Sequence, residues 1–382
     1  MLNAGAYFRS WFGRFERLTM RRPDPWLAGP GVVLLVLGLL MVLDTTYFLG
    51  QEKSGDSFYY FRLQLEHIGA GLAIGAILSQ FSLAGLRRIA MPCAIFAFVL
   101  LCLIWFPGFG VVRGGARRWL RVGPLLAEPS ELVKLTWVFF LATYLSKRQE
   151  LIGDFKTVPG PAFAIVTVLA MILLPQPDYG ATAMLVLLLF AMLFAAGARP
   201  RHLAIPGGIA AGVFALLAVV KPYRMRRLTG FVDPWRTARG AGFQLIQSFI
   251  ALGTGGGWGQ GLGVGRQKMF FLPQAHTDFV FAALAEDFGI AGAVTVFALF
   301  IVILIRGMRI AREEPDPFAS LLAVGLTLLL SVQALLNLAV VIGMVPTKGL
   351  PLPFISYGGT SMVMMLAALG ALLALSRRPA VR

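Results

Sequence analysis

Charge is scarce in this sequence, and cysteine and histidine are scarcer still. Only 14% of the 382 residues are Asp, Glu, Lys or Arg, against 58% hydrophobic. Soluble globular domains carry roughly a quarter of their residues as charged side chains, so that class is excluded. The two cysteines, Cys93 and Cys102, lie nine residues apart in one apolar stretch. At about 100° per residue they face opposite sides of a helix and cannot bridge each other. The three histidines are far apart, and no H-E-x-x-H or Cys/His cluster signals zinc. No G-x-S-x-G elbow is present. The glycine run 253–265 contains neither G-x-G-x-x-G nor a Walker loop, and no strand precedes it, which argues against nucleotide binding. No alternating pattern suggests a membrane barrel, no cleavable signal peptide is visible, and no internal repeat or long linker divides the chain. The net charge of +16 is spread over short loops rather than gathered into a stripe with aromatic platforms, so nucleic acid is not the expected partner.

What the chain does have is long apolar runs. Ten intervals approach the length that crosses a bilayer, roughly 26–49, 63–81, 89–106, 130–146, 160–175, 180–197, 203–220, 279–305, 319–343 and 356–376. The expected fold is an all-α polytopic membrane protein of about ten transmembrane helices, one membrane domain over 26–376, with a large extracytoplasmic loop at 221–278 before helix eight. Residues 1–25 form a basic, aromatic segment in which Phe8, Trp11, Phe12, Phe15 and Leu18 recur at helical spacing, as in a helix lying on the membrane surface. Residues 377–382 form a short tail, and both termini are placed in the cytoplasm.

That orientation leaves an anomaly. The inside segments then carry 18 of the 34 Lys and Arg residues and the outside segments 15, yet twelve of those 15 sit in just two loops, 107–129 and 221–278. Elsewhere the positive-inside bias is clear. Long loops translocate regardless of charge, but the shorter loop does not have that freedom. Both loops are therefore expected to face an anionic ligand outside the cytoplasm, with anionic lipid headgroups as the plainer alternative.

Charged residues inside or at the ends of spans are functional candidates by default. Glu131 and Lys134 stand at i and i+3 in "EPSELVKL". They read either as a self-neutralising buried pair or as a phosphate-binding Lys with a Glu that positions it or helps to hold a cation. Lys348 lies in a Pro/Gly-rich outer loop that suits a binding site. "PQPDYGA" (175–181) is a tight break carrying Asp178, read as a ligand site or as an ordinary turn with an Asx cap. "GFQLIQSFIALG" (242–253) is helix-like and placed in or on the outer membrane face. The glycine run after it suits close backbone approach or a flexible gate. Asp278 stands at the start of span eight beside His276 and Thr277, where spacing alone reads it as a helix cap. Glu286 lies about 12 Å deeper and, with Asp287, points around the helix away from Asp278, toward a separate polar contact.

Several segments together resemble the SEDS family of membrane glycosyltransferases (FtsW, RodA and SpoVE). They are "GGARRWLRVG" (114–123), "PSELVKL" (129–135), "QPDYGAT" (176–182), "GFQLIQSFIALGTGG" (242–256), "LPQAHTDFVFA" (272–282) and "NLAVVIGMVPTKGLPLPFISYGGTS" (337–361), in family order. The resemblance implies polymerisation of lipid II into β-1,4 glycan strands at the outer face of the bacterial cytoplasmic membrane. It makes Asp278 the general base, and Arg117, Arg118, Trp119, Glu131, Lys134 and Lys348 the residues that meet substrate and its undecaprenyl pyrophosphate. Asp178, Gln247, His276, Thr277 and Ser356 would line the site. No cofactor is required by this reading, although a divalent cation, magnesium or manganese, is compatible with it. The implied partners are a class B penicillin-binding protein and other division proteins at the septum, since the spellings lean toward the division branch over the elongation branch. The first span's "LDTTYF" and Gln274, where an acidic residue is usual, depart from the family pattern. A lipid II flippase and a non-catalytic scaffold are the rival readings.

Overall fold

The computed structural model describes residues 23–377 except Pro124, Lys221 and Lys348. The expected surface helix at the N-terminus and the short C-terminal tail lie outside these residues. Ten helices fill the ten apolar intervals: α1 (Pro25–Ser54), α2 (Tyr59–Ser79), α3 (Leu83–Leu103), α4 (Pro129–Ser146), α5 (Pro159–Leu173), α6 (Tyr179–Ala195), α7 (Pro200–Val220), α10 (Val280–Glu313), α11 (Pro317–Val341) and α12 (Gly359–Ser376). The loop 221–278 adds α8 (Pro222–Val232) and α9 (Phe243–Gly255), the second where the sequence pattern places it. Five helices, α1, α3, α10, α11 and α12, are each long and apolar enough to cross a bilayer by composition alone. The rest are shorter or more polar and rely on neighbours, as expected for helices whose polar groups face the bundle.

Helix α11 is central, with 72% of its most apolar window buried, whereas α10 is peripheral at 22%. The inner core joins α4, α6, α11 and α12, where Lys134, Phe318 and Met365 are buried. Two ion pairs tie helix ends on one side of the bundle. Arg306 of α10 meets Asp24 at the start of α1 at 2.8 Å, and Arg87 of α3 meets Asp316 before α11 at 3.1 Å. Alternating spans put these ends on a common side.

The loop expected at 107–129 is instead a small antiparallel sheet, β1 (Gly110–Arg113), β2 (Ala116–Val122) and β3 (Leu125–Ala127), in the order β1-β2-β3. Its first hairpin turns on Gly114 and Gly115, with φ of 56° and 78°. A two-residue turn of that hand needs positive φ at both positions, which glycine supplies without steric cost. The sheet escaped the sequence reading because its strands are short and arginine-rich.

Helix α10 is broken at Gly289 (φ 66°, ψ −163°). The break is stitched by the glycine run. Gln260 and Gly261 N–H groups donate to the carbonyls of Glu286 and Asp287 (2.9 and 3.0 Å), and Ile290 and Ala291 N–H groups donate to Gly256 and Gly257 (2.9 and 3.1 Å). The glycines therefore do allow close backbone approach, but to the chain's own helix rather than to a ligand. A Cβ on Gly259 would lie 2.1 Å from the Asp287 carbonyl oxygen.

Candidate functional site

Asp278 does not cap its helix. Helix α10 starts at Val280, its N-cap residue is Phe279, and no side chain caps it. The carboxylate is left without a hydrogen bond or ion pair among the described residues, while its backbone is held from several directions. Gln274 carbonyl accepts from Thr277 N–H (3.0 Å) and Phe279 N–H (3.2 Å), and Thr277 Oγ1 donates to Gln274 Oε1 (2.8 Å). Thus Gln274 closes the turn that presents Asp278. Asn337 Nδ2 of α11 donates to the Asp278 carbonyl (2.8 Å) and the Leu350 carbonyl (2.7 Å). Ser356 Oγ donates to Thr277 carbonyl (2.6 Å) and accepts from Leu352 N–H (2.8 Å), and Tyr357 N–H donates to His276 carbonyl (2.8 Å). The loops before α10 and α12 are therefore one hydrogen-bonded unit. Ser356 acts in it through its hydroxyl, Thr277 through its carbonyl and hydroxyl, and His276 through its carbonyl.

Arg118 comes to the same place from the sheet. In the β1–β2 register Val111 pairs with Trp119 and Val112 with Arg117, so Arg118 is the extra residue of a bulge. Bulges re-aim side chains. Its Nε donates to the Gln176 carbonyl (3.2 Å) and its Nη2 to the Pro177 carbonyl, anchoring it on the 175–181 break. A Cβ on Gly349 would lie 3.3 Å from Asp278 Oδ2 and 3.7 Å from Arg118 Nη1, so both groups line one small recess around that glycine. Asp278 is half-buried. Burial pushes its carboxyl up to about 6, with Arg118 and Arg227 pulling the other way. The outcome is a carboxylate that takes up a proton just below neutrality, as suits a general base. Burial, aided by Lys53, lowers His276 to about 4, so its ring is neutral there.

Other expected site residues are placed differently. Lys134 is wholly buried, its ammonium bonded to Glu131 Oε1 (2.8 Å) and Gln333 Oε1 (2.7 Å). Of the two readings of this pair, the arrangement seen is the self-neutralising one, because a buried ammonium needs its charge and donors satisfied. Gln333 Nε2 then donates to the Pro351 carbonyl (3.0 Å), so this network supports the site loop from below. Asp178 is the N-cap of α6, accepting from Ala181 N–H (3.1 Å), as the turn-and-cap reading has it. Arg117 packs across Gly110, with its Nε buried and unpartnered, and Trp119 is half-buried opposite Val111; neither is bonded to Asp278. Gln247 is half-buried on α9, with no hydrogen bond among the described residues. Lys348 lies outside the described residues.

Asn337, Gln333, Gln176 and Glu128 carry the site and were not singled out from sequence. Asn337 and Gln333 had a readable signal: two polar residues four apart within an apolar span, on one helix face. Among the described residues no three His, Cys, Asp or Glu side chains converge as metal ligands.

Glu286 and Asp287 lie in the separate contact that their spacing implies. Lys268 Nζ is wholly buried between Asp287 Oδ1 and Asp44 Oδ2. Glu286 accepts from the Gln267 and Lys268 N–H groups (3.1 and 3.3 Å). Asp44 Oδ1 accepts from Gly263 N–H (2.9 Å). This lock joins α1, the segment 263–268 and α10.

Comparison with known proteins places the chain in a family. The FtsW/RodA/SpoVE family, described as "Cell cycle protein", matches residues 28–380. The chain belongs to that family. It is 40% identical to stage V sporulation protein E of Bacillus subtilis (93% of this chain, 97% of that one). It is 39% identical to the probable peptidoglycan glycosyltransferase FtsW of Geobacter sulfurreducens (91% and 93%). In fold it is similar to a chain of a peptidoglycan synthase complex described as coordinating polymerization and crosslinking (TM-score 0.75, 30% identity, 93% and 98% covered). It is also similar to the rod shape determining protein RodA of Thermus thermophilus (TM-score 0.65, 26% identity, 93% and 97%). The family and the polytopic membrane fold expected from the motifs are thereby established.

Proposed function

We propose that this protein is a peptidoglycan glycosyltransferase that polymerises lipid II, with Asp278 as general base, at the outer face of the bacterial cytoplasmic membrane. The observation that carries the reading is Asp278 itself, a half-buried carboxylate with its backbone pinned, its oxygens unpaired among the described residues and Arg118 across the recess. The acceptor's GlcNAc 4-hydroxyl gives its proton to Asp278 as its oxygen attacks C1 of the donor's MurNAc. The C1–O bond breaks, and undecaprenyl pyrophosphate leaves with the electron pair, so an α-linked donor becomes a β-1,4 linkage. Fixed positive charge near the leaving group stabilises the developing anion, and Arg118 and Arg227 are the cations near Asp278. An apolar groove of 330 Å³ between α1 and the glycine segment, lined by Leu40, Leu43, Phe48 and Met269, offers room for part of a lipid chain.

A class B penicillin-binding protein is the proposed partner, in keeping with the synthase complex that the fold resembles. Similarity to curated FtsW proteins supports a septal role in division over one in elongation. The test is to incubate the purified protein and its transpeptidase with lipid II, with Asp278→Asn in parallel, and resolve products on a gel. Glycan strands are expected only with Asp278 intact. Polymer from the variant at the normal rate removes Asp278 from the chemistry, and lipid II translocation without polymer favours a flippase.

A further inference from the structure

We infer that Glu128 is a neutral acid inside the anion site, donating a hydrogen bond to the phosphate that Arg118 holds. This rests on the pyrophosphate-lipid reading above and adds to it a residue that meets the substrate. Glu128 joins β3 to α4, between the elements that carry Arg118 and the Glu131–Lys134 pair. The β2–β3 register, Leu120 opposite Ala127, sets it alongside Trp119 and Arg118. Its backbone is fixed: its N–H donates to Thr360 Oγ1 (3.0 Å) and its carbonyl accepts from Glu131 N–H (3.2 Å). It occupies the N-cap position of α4, yet its side chain caps nothing and is free for another task.

The surrounding charges decide its state. Asp178 at the start of α6 and Glu131 on α4 oppose ionisation, while Arg118 on β2 and Lys134 on α4 favour it. Lys134 is already committed to Glu131 and Gln333, and two of Arg118's nitrogens to backbone carbonyls. Among the described residues a third carboxylate has no cation of its own. Burial, then Asp178 and Glu131, push Glu128 up to about 8, so it keeps its proton at neutral pH.

An unsatisfied neighbour points independently to a ligand. Gln176 is 1% exposed and its Nε2 is an unpartnered buried donor, in the residue whose carbonyl holds Arg118. Buried polar atoms are rarely left unpaired in the working state of a protein. A phosphate beside Arg118 would take donors from the guanidinium, the Gln176 amide and the protonated Glu128. With Glu128 ionised, a third negative charge would face the ligand instead.

The test measures binding of undecaprenyl pyrophosphate to the full-length protein in detergent micelles by calorimetry at pH 7 and pH 9. Arg118 stays charged and Asp278 ionised at both values, and comparison with Glu128→Gln separates Glu128 from any other group that titrates in the interval. Wild type should bind roughly tenfold more weakly at pH 9, one pH unit above its titration. Glu128→Gln should show no weakening over the same interval, whatever its absolute affinity. Wild-type binding that is flat from pH 7 to 9, or a variant that weakens as much as wild type, overturns the proposal. If the variant does not fold, infrared difference spectra of wild type decide. A protonated-carboxyl band that shifts on adding undecaprenyl pyrophosphate at pH 7 supports it, and no shifting band overturns it. Binding of this pattern in a protein that makes no polymer would leave this proposal standing while removing the glycosyltransferase reading.

Discussion

Two acidic regions at the outer part of one helix have opposite fates. Asp278, two residues before α10, has a pinned backbone and a free carboxylate. Asp287, nine residues later, has its carboxylate taken by a buried Lys268 that also meets Asp44. In the first region the hydrogen bonds go to main chain, and the side chain is left without a partner among the described residues. In the second they go to side chains and fix three segments together. The same residue type therefore serves chemistry or architecture according to which of its atoms are left over.

The largest expected effect comes from Asp278→Asn. It should reduce polymerisation by about 10²–10⁴-fold, the range for loss of a general base, with thermal stability in micelles unchanged or higher because a buried charge is removed. Next is Lys268→Met, which strands Asp44 and Asp287. Breaking a buried pair costs roughly 3–5 kcal/mol, read as a drop in thermal unfolding temperature. Converting Asp287→Leu in the same chain should recover part of it. If Lys268→Met is as stable as wild type, the lock is not structural and the contrast between the regions fails.

Gly289→Ala forces a side chain into positive φ with its Cβ 2.4 Å from Gly259 N. Such strain costs about 1–3 kcal/mol, and calorimetric unfolding checks it. Asn337→Leu removes two hydrogen bonds from the site loops, roughly 1–3 kcal/mol for the stranded carbonyls. It should lower kcat more than it lowers stability, which would separate a positioning role from a packing one. The smallest effect is a pH dependence. A carboxyl raised to about 6 by burial is ionised above that value and protonated below it. Activity should therefore fall as pH drops through about 6, approaching tenfold per unit, in a pH–rate profile of wild type. A flat profile down to pH 5 would show that Asp278 keeps its ordinary carboxylate range.

Much of the fold was legible because lipid enforces it. Apolar runs must become helices that satisfy their own backbone, so all ten intervals could be read directly. Asp278 was legible only through its surrounding motif, since spacing alone made it a cap. Lys134 illustrates the limit: its i, i+3 spacing to Glu131 was visible, but Gln333, 199 residues away, decides that it is a strut. The arginine sheet was missed because short polar strands carry no apolar period. The bulge that aims Arg118 depends on which residues pair, which no local pattern contains.

Sequence by itself determined a helical membrane bundle and an excess of basic residues on two segments between spans, because hydropathy and charge act residue by residue. Only the tertiary structure decided which charges are paired and locked and which are left without a partner among the described residues. That choice depends on partners brought together from distant helices, and on whether each polar atom still lacks one.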